Sequence, residues 1–214
     1  MDSLAQAAVM TLGLVTVGSY LLGSIPFGMI ATKLGGAGDI RQVGSGNIGA
    51  TNVLRTGRKD LAALTLIGDS GKGALAVLLA GLLTNWTPVA VAVAAGAAFT
   101  GHLFPVWLKF RGGKGVATFF GTLLAAAWPV GLLAGATWLA MAALFRMSSL
   151  AALTAVALAP LLSLATEQPH SITMLCVFMA VLVFISHREN IRRLLKGEEP
   201  KIGKKSAAAA GPSA

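Results

Sequence analysis

The sequence predicts an all-α fold, a polytopic bundle of membrane-spanning helices. Hydrophobic residues make up 55% of the 214-residue chain and charged residues only 12%, and the mean hydropathy is +0.75. A soluble domain cannot hide so much apolar surface behind so few charges. The net charge of +9 therefore points to anionic lipid headgroups or anionic substrates as partners, and we expect no nucleic-acid partner.

The predicted helices come from six apolar runs, at about 4–32, 61–83, 88–108, 116–145, 149–166 and 171–186. The first three are each about 20 residues or longer, enough to cross a hydrocarbon core roughly 30 Å thick. Trp128-Pro129 marks a predicted turn within the fourth run, and the segment 146–149 marks another after it. This gives seven membrane helices, with the one at 116–127 rather short. Five helices, with part of the fourth run re-entrant, are the alternative.

The distribution of Lys and Arg predicts the orientation of these helices. Basic residues are concentrated after the first, third and last runs, whereas the connections 84–87 and 167–170 contain none. The positive-inside rule then places the N-terminus outside and the C-terminus in the cytoplasm. The glycine-rich and charged segments thereby share the cytoplasmic side, at 33–60, 101–118, 146–149 and 186–199. Polar groups of a membrane protein that gather in this way normally surround a site or a pathway.

The chain is predicted to form one integral membrane domain over residues 1–200. A basic and then alanine-rich tail follows over residues 201–214, and we expect it to be disordered. Cys176 is the single cysteine, which excludes an internal disulfide and a multi-cysteine metal site. Asp69 and Lys72 are three positions apart on one predicted helix, where pairing lowers the cost of burying either charge. We assign this pair a structural role.

The first polar segment is DIRQVGSGNIGATNVLRTG, residues 39–57. Its glycines accept positive φ and allow backbone N–H groups to converge on an anion. The guanidinium groups of Arg41 and Arg55 match phosphate geometry. A flexible glycine loop is the commoner origin of such a composition. The segment contains no GxxxxGK[ST] element, so it does not indicate a nucleotide P-loop.

The second polar segment, GHLFPVWLKFRGGKGVAT at 101–118, places Lys114 between glycines. It leads directly into an apolar helix, whose first amides are free to bind an anion. For Lys109 we favour a topological role, whereas Lys114 is a functional candidate. His102 falls inside the end of the preceding helix, where a hydrogen-bonded structural role is the alternative to substrate binding.

The third polar segment is SHRENIRRLLKGEE, residues 186–199. His187, Asn190 and Leu194 share one helical face, with Arg193 near it. A basic interfacial helix has a similar cationic face but needs neither His nor Asn on its apolar side. Ser149, at the start of an inner helix, is most simply an N-cap.

Taken together, LLGSIPFG with DIRQVGSGNIGATNVLR, then GHLFPVWLKFRGGKGVAT, then HRENIRRLLKGEE resemble the motifs of the acyl-phosphate-dependent glycerol-3-phosphate acyltransferases, a bacterial integral membrane enzyme family. The resemblance extends from about residue 18 to residue 199, in the same order and spacing. It implies transfer of a fatty acyl group from acyl phosphate to the 1-hydroxyl of sn-glycerol 3-phosphate, giving lysophosphatidic acid and inorganic phosphate. It also implies the first acylation of phospholipid synthesis, at the cytoplasmic face of the bacterial inner membrane.

The resemblance implies a set of site residues as well. The catalytic candidates are His187, Asn190, Ser45 and Lys114. With Arg41, Gly44, His102 and Arg193 added from the residue pattern, the substrate- and phosphate-binding candidates are Arg41, Gly44, Gly46, Asn47, Gly49, Thr51, Asn52, Arg55, His102, Gly112, Gly113, Gly115, Ser149 and Arg193. The family often has a second serine where this chain has Ala152, which leaves open which hydroxyl of this turn contributes.

Both implied substrates carry a phosphate, which matches a site built from two glycine turns and several cations. Acyl phosphate is an activated anhydride, so positioning and electrostatic stabilisation are expected to carry much of the rate without a covalent acyl-enzyme. The base is either His187 or the phosphate of the donor; we prefer the second, with His187 then binding a substrate phosphate. No cofactor and no metal are expected. A transporter of phosphorylated metabolites is the alternative function, and it predicts polar residues spread through the membrane midplane and inverted repeats.

Overall fold

The computed structural model describes residues 3–202, and the regular structure over that range is helical. Of the predicted tail at 201–214, residues 203–214 lie outside the described residues. The α-helices are α1 (Ser3–Gly23), α2 (Phe27–Leu34), α3 (Ala50–Val53), α4 (Lys59–Leu83), α5 (Pro88–Leu103), α6 (Val116–Ala126), α7 (Trp128–Phe145), α8 (Ser148–Ala165), α9 (His170–Ser186) and α10 (Arg188–Leu195). Short 3-10 turns at Ile40–Gln42, Leu54–Thr56 and Val106–Leu108 lie in the polar segments.

The apolar runs are confirmed as helices close to their predicted positions. Five helical segments are long and apolar enough to cross a membrane, and α9 with α10, which meet at a 65° bend, make a sixth when counted as one span. The remaining apolar helix, α6, has 11 residues. The seven-helix count and the orientation of the termini stay predictions.

The fourth apolar run is divided at the position that the Trp128-Pro129 pair predicted. Ala127 breaks the helical path with φ −154° and ψ 73°, and α7 begins at the next residue. Pro129 lies in the first turn of α7, where its missing N–H is not needed. At the other end of α7, Arg146 adopts φ 59°, and α8 begins at Ser148. Both predicted turns of this region are therefore present.

Small residues bring the central helices close together. A Cβ on Gly121 of α6 would overlap the backbone of Ser70 in α4. Such close approach is the usual basis of helix association in lipid, where apolar side chains gain little by leaving the hydrocarbon. Among α5, α6 and α9 the space is filled by a buried apolar cluster that includes Phe99, Phe119 and Met179. Packing rather than solvent exclusion therefore positions the helices that carry the polar loops.

The predicted ion pair between Asp69 and Lys72 is present in α4, with Nζ 2.8 Å from Oδ1 and both side chains buried. The Lys72 ammonium also donates to the carbonyl oxygen of Ile25 at 2.6 Å, in the break between α1 and α2. These contacts offset part of the desolvation cost of the two charges. They also tie α4 to the break in the first span.

The polar segments meet at one end of the bundle. The hydroxyl oxygen of Thr51, in α3 within the first polar segment, lies 3.4 Å from that of Ser148 at the start of α8. Lys114 in the second turn donates a hydrogen bond to the side chain of Asn190 in α10. Contacts between residues so far apart in the sequence bring the predicted site segments into one region.

Replacing Gly121 by Ala should lower the thermal unfolding temperature of the purified protein, because the added methyl group must displace the backbone of α4. Overpacking of this kind costs roughly 1–3 kcal/mol. Gly135→Ala is the matched control, since a Cβ at Gly135 in α7 meets no atom within 4 Å and alanine favours a helix. Equal unfolding temperatures for the two variants would contradict the packing described here.

Candidate active site

The side chain of Asn52 organises the glycine loop of the first polar segment, hereafter the first glycine loop (residues 39–49), through hydrogen bonds to its backbone. Its side chain is buried, and its Nδ2 donates to the carbonyl oxygens of Ile40, Val43 and Asn47 at 3.1, 2.8 and 2.8 Å. Its Oδ1 accepts from the backbone amide of Ser45 at 3.1 Å. These contacts fix the shape of the loop. That Asn52 also binds phosphate stays a prediction.

The turn that Asn52 holds contains two glycines with positive φ, as predicted for a phosphate nest. Gly44 has φ 56° and Gly46 has φ 69°. A Cβ at Gly44 would lie 2.6 Å from the Asn52 Oδ1, so this turn also depends on the missing side chain. Gly49 differs: with φ −80° it is the N-cap residue of α3, and it adds no left-handed turn.

The two arginines that bracket this loop are placed differently. Arg55 is half-buried, and its Nη1 donates to the Asn52 Oδ1 at 3.4 Å. Arg41 is exposed and is paired with Asp39, its Nη2 lying 2.6 Å from a carboxylate oxygen. The structure therefore places Arg55 at the site, whereas the guanidinium of Arg41 is engaged beside it.

The second glycine turn is built against the end of α5. The amides of Gly112 and Gly113 donate to the carbonyl oxygens of Leu103 and His102 at 3.0 and 3.2 Å. A Cβ at Gly113 would overlap the His102 imidazole. The amides of these two glycines are therefore used within the turn, and their small size permits its close approach to α5. That they shape an anion cradle stays a prediction. Gly115 does adopt positive φ, at 85°, as the N-cap residue of α6.

His102 lies behind this turn, with its imidazole against the backbone of Gly113. Its imidazole is buried in α5, and its Nδ1 is 3.5 Å from Oδ1 of Asp69. Phosphate binding by His102 stays a prediction, and so does the hydrogen-bonded structural alternative. No contact in residues 3–202 joins its ring to the cations at the site.

Glu199 connects the third polar segment with the start of α8. It was not among the site residues predicted from the sequence. Its Oε1 accepts from the Ser149 hydroxyl at 2.7 Å and from the side-chain amide of Asn190 at 2.6 Å. Its Oε2 accepts from Arg193 Nε at 2.8 Å. Asn190 in turn accepts a hydrogen bond from Lys114. The available signal was the acidic pair that ends RRLLKGEE, an otherwise basic stretch.

The contacts of Glu199 revise the role of Ser149. Met147, not Ser149, is the N-cap residue of α8, and Ser149 lies within the first turn with its hydroxyl directed to Glu199. Burial raises the pKa of the Glu199 carboxyl, but the hydrogen bonds from Ser149, Asn190 and Arg193 outweigh this and hold the pKa below its usual value. Glu199 is therefore an anion at neutral pH and balances one of the nearby positive charges.

Positive charge is concentrated around Lys114. Burial lowers the pKa of the Lys114 ammonium, and the positive charges of Arg193 and Arg55 lower it further. Arg55 comes from the first polar segment, Lys114 from the second turn and Arg193 from α10. Three cations from three segments therefore face one region, an arrangement that favours anionic ligands. Within residues 3–202, no group of three His, Cys, Asp or Glu side chains is placed to hold a metal ion.

His187 lies one residue beyond α9, buried beside this region. Its Nδ1 is 2.9 Å from the carbonyl oxygen of Val183, which can only accept, so Nδ1 carries the hydrogen and Nε2 of the neutral ring is an acceptor. Burial, and then the charge of Lys114, lower the His187 pKa from 6.5 to about 4. The imidazole is thus neutral at physiological pH.

Two apolar grooves flank the bundle. The larger, with a volume of about 640 Å³, lies among α1, α5 and α9 and extends from Val89 and Ser171 to Tyr20 and Thr100. The smaller, about 480 Å³, lies between α2 and α4 and is lined by Phe27, Leu64 and Ile67 among others. It reaches Gly35 and Leu61, next to the first glycine loop. The smaller groove therefore adjoins the first glycine loop.

Comparison with known proteins shows the family to which the chain belongs. Residues 13–197 match the family described as "Glycerol-3-phosphate acyltransferase". The chain is 72% identical over 214 residues to a glycerol-3-phosphate acyltransferase of Caulobacter vibrioides (strain NA1000 / CB15N), an alignment covering 100% of this chain and 98% of the relative. A relative of the same description from Maricaulis maris (strain MCS10) is 60% identical over 190 residues, covering 89% of this chain and 87% of the relative.

Two solved structures share the fold. Both are crystal structures of PlsY (YgiH), described as an integral membrane glycerol 3-phosphate acyltransferase. The glycerol 3-phosphate form has a TM-score of 0.85 at 37% identity and covers 90% of this chain and 96% of its own. The lysophosphatidic acid form has a TM-score of 0.82 at 34% identity and covers 90% and 95%.

The role of Asn52 predicts that Asn52→Asp opens the first loop, because a carboxylate oxygen would replace the amide that donates to three carbonyls. An unsatisfied buried group costs roughly 1–3 kcal/mol, so local opening should increase about tenfold. Hydrogen exchange followed by mass spectrometry measures this for residues 40–49. Asn47→Asp is the matched control, since Asn47 gives the network its backbone carbonyl. Equal exchange in both variants would refute the assigned role.

Proposed function

The chain belongs to the glycerol-3-phosphate acyltransferase family, and from that premise we propose how its site carries out the reaction. Membership makes it an integral membrane acyltransferase that acylates glycerol 3-phosphate, and it removes the transporter alternative. We infer that the acyl donor is an acyl phosphate and that the 1-hydroxyl is acylated. The products are then lysophosphatidic acid and inorganic phosphate.

The observation that carries this proposal is the cluster of Arg55, Lys114 and Arg193. These cations are drawn from three segments, and Glu199 balances only part of their charge. A site for acyl phosphate and glycerol 3-phosphate must accept two phosphates at once, whereas an acyl thioester donor would bring none to this position. The excess positive charge matches two phosphorylated ligands. Ser45, exposed on the first loop, supplies a hydroxyl for phosphate binding.

The chemistry needs no nucleophile from the protein. The acceptor oxygen attacks the acyl carbon, the bond from that carbon to the phosphate oxygen breaks, and the hydroxyl proton leaves with the phosphate as hydrogen phosphate. Negative charge develops on the carbonyl oxygen and then on the departing phosphate. Lys114 and Arg55 are the groups that we assign to stabilise it, because they are fixed before the substrates arrive.

His187 is assigned to orient the acceptor rather than to take its proton. A neutral imidazole whose Nδ1 donates to Val183 presents Nε2 as a hydrogen-bond acceptor, and a phosphate has no hydrogen to offer it when fully ionised. A glycerol hydroxyl has one. The low pKa of His187, about 4, makes it a weak base, whereas the departing phosphate becomes strongly basic. This agrees with the phosphate as base but assigns His187 to a hydroxyl.

The groove between α2 and α4 is assigned to the acyl chain. Its walls are apolar, and side chains such as Ile30 and Leu34 are open to the lipid on one side. The groove ends next to the first glycine loop, and we therefore assign the phosphate of the donor to that loop. A chain lying there would keep its apolar length in a hydrocarbon environment while its headgroup reaches the cations.

We place residues 1–200 in one domain of the bacterial cytoplasmic membrane, with the site facing the cytoplasm. The excess of Lys and Arg at the end of the bundle that carries the site supports this orientation. Glycerol 3-phosphate is charged and water-soluble, so it must arrive from the aqueous side at which these loops are exposed.

The donor is tested with purified protein, palmitoyl phosphate and labelled glycerol 3-phosphate. We expect one phosphate released for each lysophosphatidic acid formed, and no product when palmitoyl-CoA replaces the acyl phosphate. Lys109→Ala is expected to keep the wild-type rate, because Lys109 is an exposed cation outside the cluster. Equal rates with the thioester would refute the proposed donor while leaving the acyltransferase activity intact.

For His187 we expect an effect on acceptor binding. His187→Gln, which can still accept a hydrogen bond, should raise the KM for glycerol 3-phosphate less than His187→Ala, for which we expect roughly a tenfold rise. Since His187 stays neutral well above its pKa of about 4, kcat should show no inflection from this group between pH 6 and 8. A large loss confined to kcat in His187→Gln would establish His187 as the base.

A further inference from the structure

Three ionisable side chains lie buried together below the site, on α4 and α5. Asp69 and Lys72 have side chains that are 1% exposed, and His102 is 3% exposed. Oδ1 of Asp69 lies 2.8 Å from Nζ of Lys72 and 3.5 Å from Nδ1 of His102. Ionisable groups inside membrane helices are costly, and where they persist they usually serve function. None of the three touches the cation cluster directly, so their contribution must pass through other groups.

Lys72 connects this trio to the support of the first glycine loop. Its Nζ donates to the carbonyl of Ile25 at 2.6 Å, in the break before α2. The same helix α2 carries Gly28, where a Cβ would overlap the carbonyl of Ile48 in the first loop. The position of α2 therefore limits where the first loop can lie, and Lys72 is a fixed point for α2.

His102 connects the trio to the second glycine turn. The backbone of Gly113 passes so close to its imidazole that a Cβ there would overlap the ring. Lys114 follows Gly113 directly. The start of α6 is fixed to the same turn of α4, because the Thr118 hydroxyl donates to the backbone carbonyl of Asp69 at 2.9 Å. Any movement of the His102 ring is thus transmitted to the turn that carries Lys114.

We propose that Asp69, Lys72 and His102 are positioning residues that hold the two glycine turns, and with them Lys114, at the separation the two phosphates require. The proposal rests on the role assigned to Lys114 in the proposed function. Asp69 lies between the other two: it pairs with Lys72, which reaches the break before α2, and its Oδ1 lies 3.5 Å from Nδ1 of His102, whose ring contacts Gly113. Small displacements matter here, because a misplacement of about 1 Å can cost roughly a hundredfold in rate.

The test removes both charges at once. Single replacements leave an uncompensated charge in the bundle and threaten folding, whereas Asp69→Asn with Lys72→Met leaves the interior neutral. We expect the unfolding temperature of this double variant to lie within a few degrees of that of the wild type. Its kcat/KM for glycerol 3-phosphate should nevertheless fall, by roughly tenfold to a hundredfold. The matched control is Ser163→Ala with Thr173→Val, which removes a buried 2.9 Å contact between α8 and α9 away from the turns; it should keep the wild-type kcat/KM.

The decisive measurement is a double-mutant cycle with Lys114→Ala. If the trio acts by placing Lys114, then Asp69→Asn with Lys72→Met should reduce kcat/KM by less than about threefold once Lys114 has been removed. A purely structural ion pair would reduce activity by the same factor in both backgrounds. Full multiplication of the two losses overturns the proposal, and so does wild-type kcat/KM in the double variant.

His102→Gln provides a second route should the charge-neutral variant fail to fold, because it leaves the Asp69–Lys72 pair intact. We expect the same dependence on Lys114, and independent losses would overturn the proposal here too. The proposed function is judged separately: acyl transfer by the wild type and its loss in Lys114→Ala do not depend on the cycle.

Discussion

Burial lowers the pKa of the Lys114 ammonium, and the positive charges of Arg193 and Arg55 lower it further, whereas the negative charges of Glu199 and Glu189 raise it. Glu199 offsets part of the positive charge through its contacts with Arg193 and Asn190. In the proposed function, the phosphates of the substrates offset the rest. The free energy of folding offsets the repulsion among the cations. They are therefore already in place and attract the substrate without rearrangement at the moment of reaction.

The loops that hold these cations are rigid because their own polar groups are satisfied internally. Asn52 ties three carbonyls of the first loop to one amide, and the amides of Gly112 and Gly113 tie the second turn to α5. A glycine-rich segment with these contacts is not a flexible linker. It has a small number of free donors in fixed places, which suits chemistry that relies on positioning because the donor is already activated.

Much of the fold could be predicted from the sequence, since hydropathy and charge are local properties and the membrane imposes one length scale on every span. The break at Trp128-Pro129 and the Asp69–Lys72 pair belong to this class, and both are present. The site was predictable as a set of segments, but the roles of individual residues were less so. The sequence around Asn52 is the same whether its side chain faces a ligand or the interior of its loop, so the sequence does not distinguish the two roles. Asp69, whose carboxylate lies 3.5 Å from His102, is on another helix.

Glu199 shows the same limit from the opposite direction. Nothing in its neighbours distinguishes it from Glu198, which lies beside it and is exposed. Its importance arises only when the chain after α10 returns to the start of α8, where the Ser149 hydroxyl reaches it. Contacts of this kind depend on the packing of helices that are distant in sequence, and a periodic pattern contains no information about them.

The short length of α6 affects how a lipid-soluble donor and a water-soluble acceptor reach the same site. Eleven residues at 1.5 Å per residue rise about 16 Å, only about half of a typical hydrocarbon core. A crossing by α6 therefore requires either a locally thinned bilayer or a starting turn sunk below the headgroups. Both bring Lys114, two residues before α6, nearer to the depth at which acyl carbons reside. If the donor is an acyl phosphate, as proposed, its tail can then stay dissolved in lipid during the reaction, and the enzyme need not extract it.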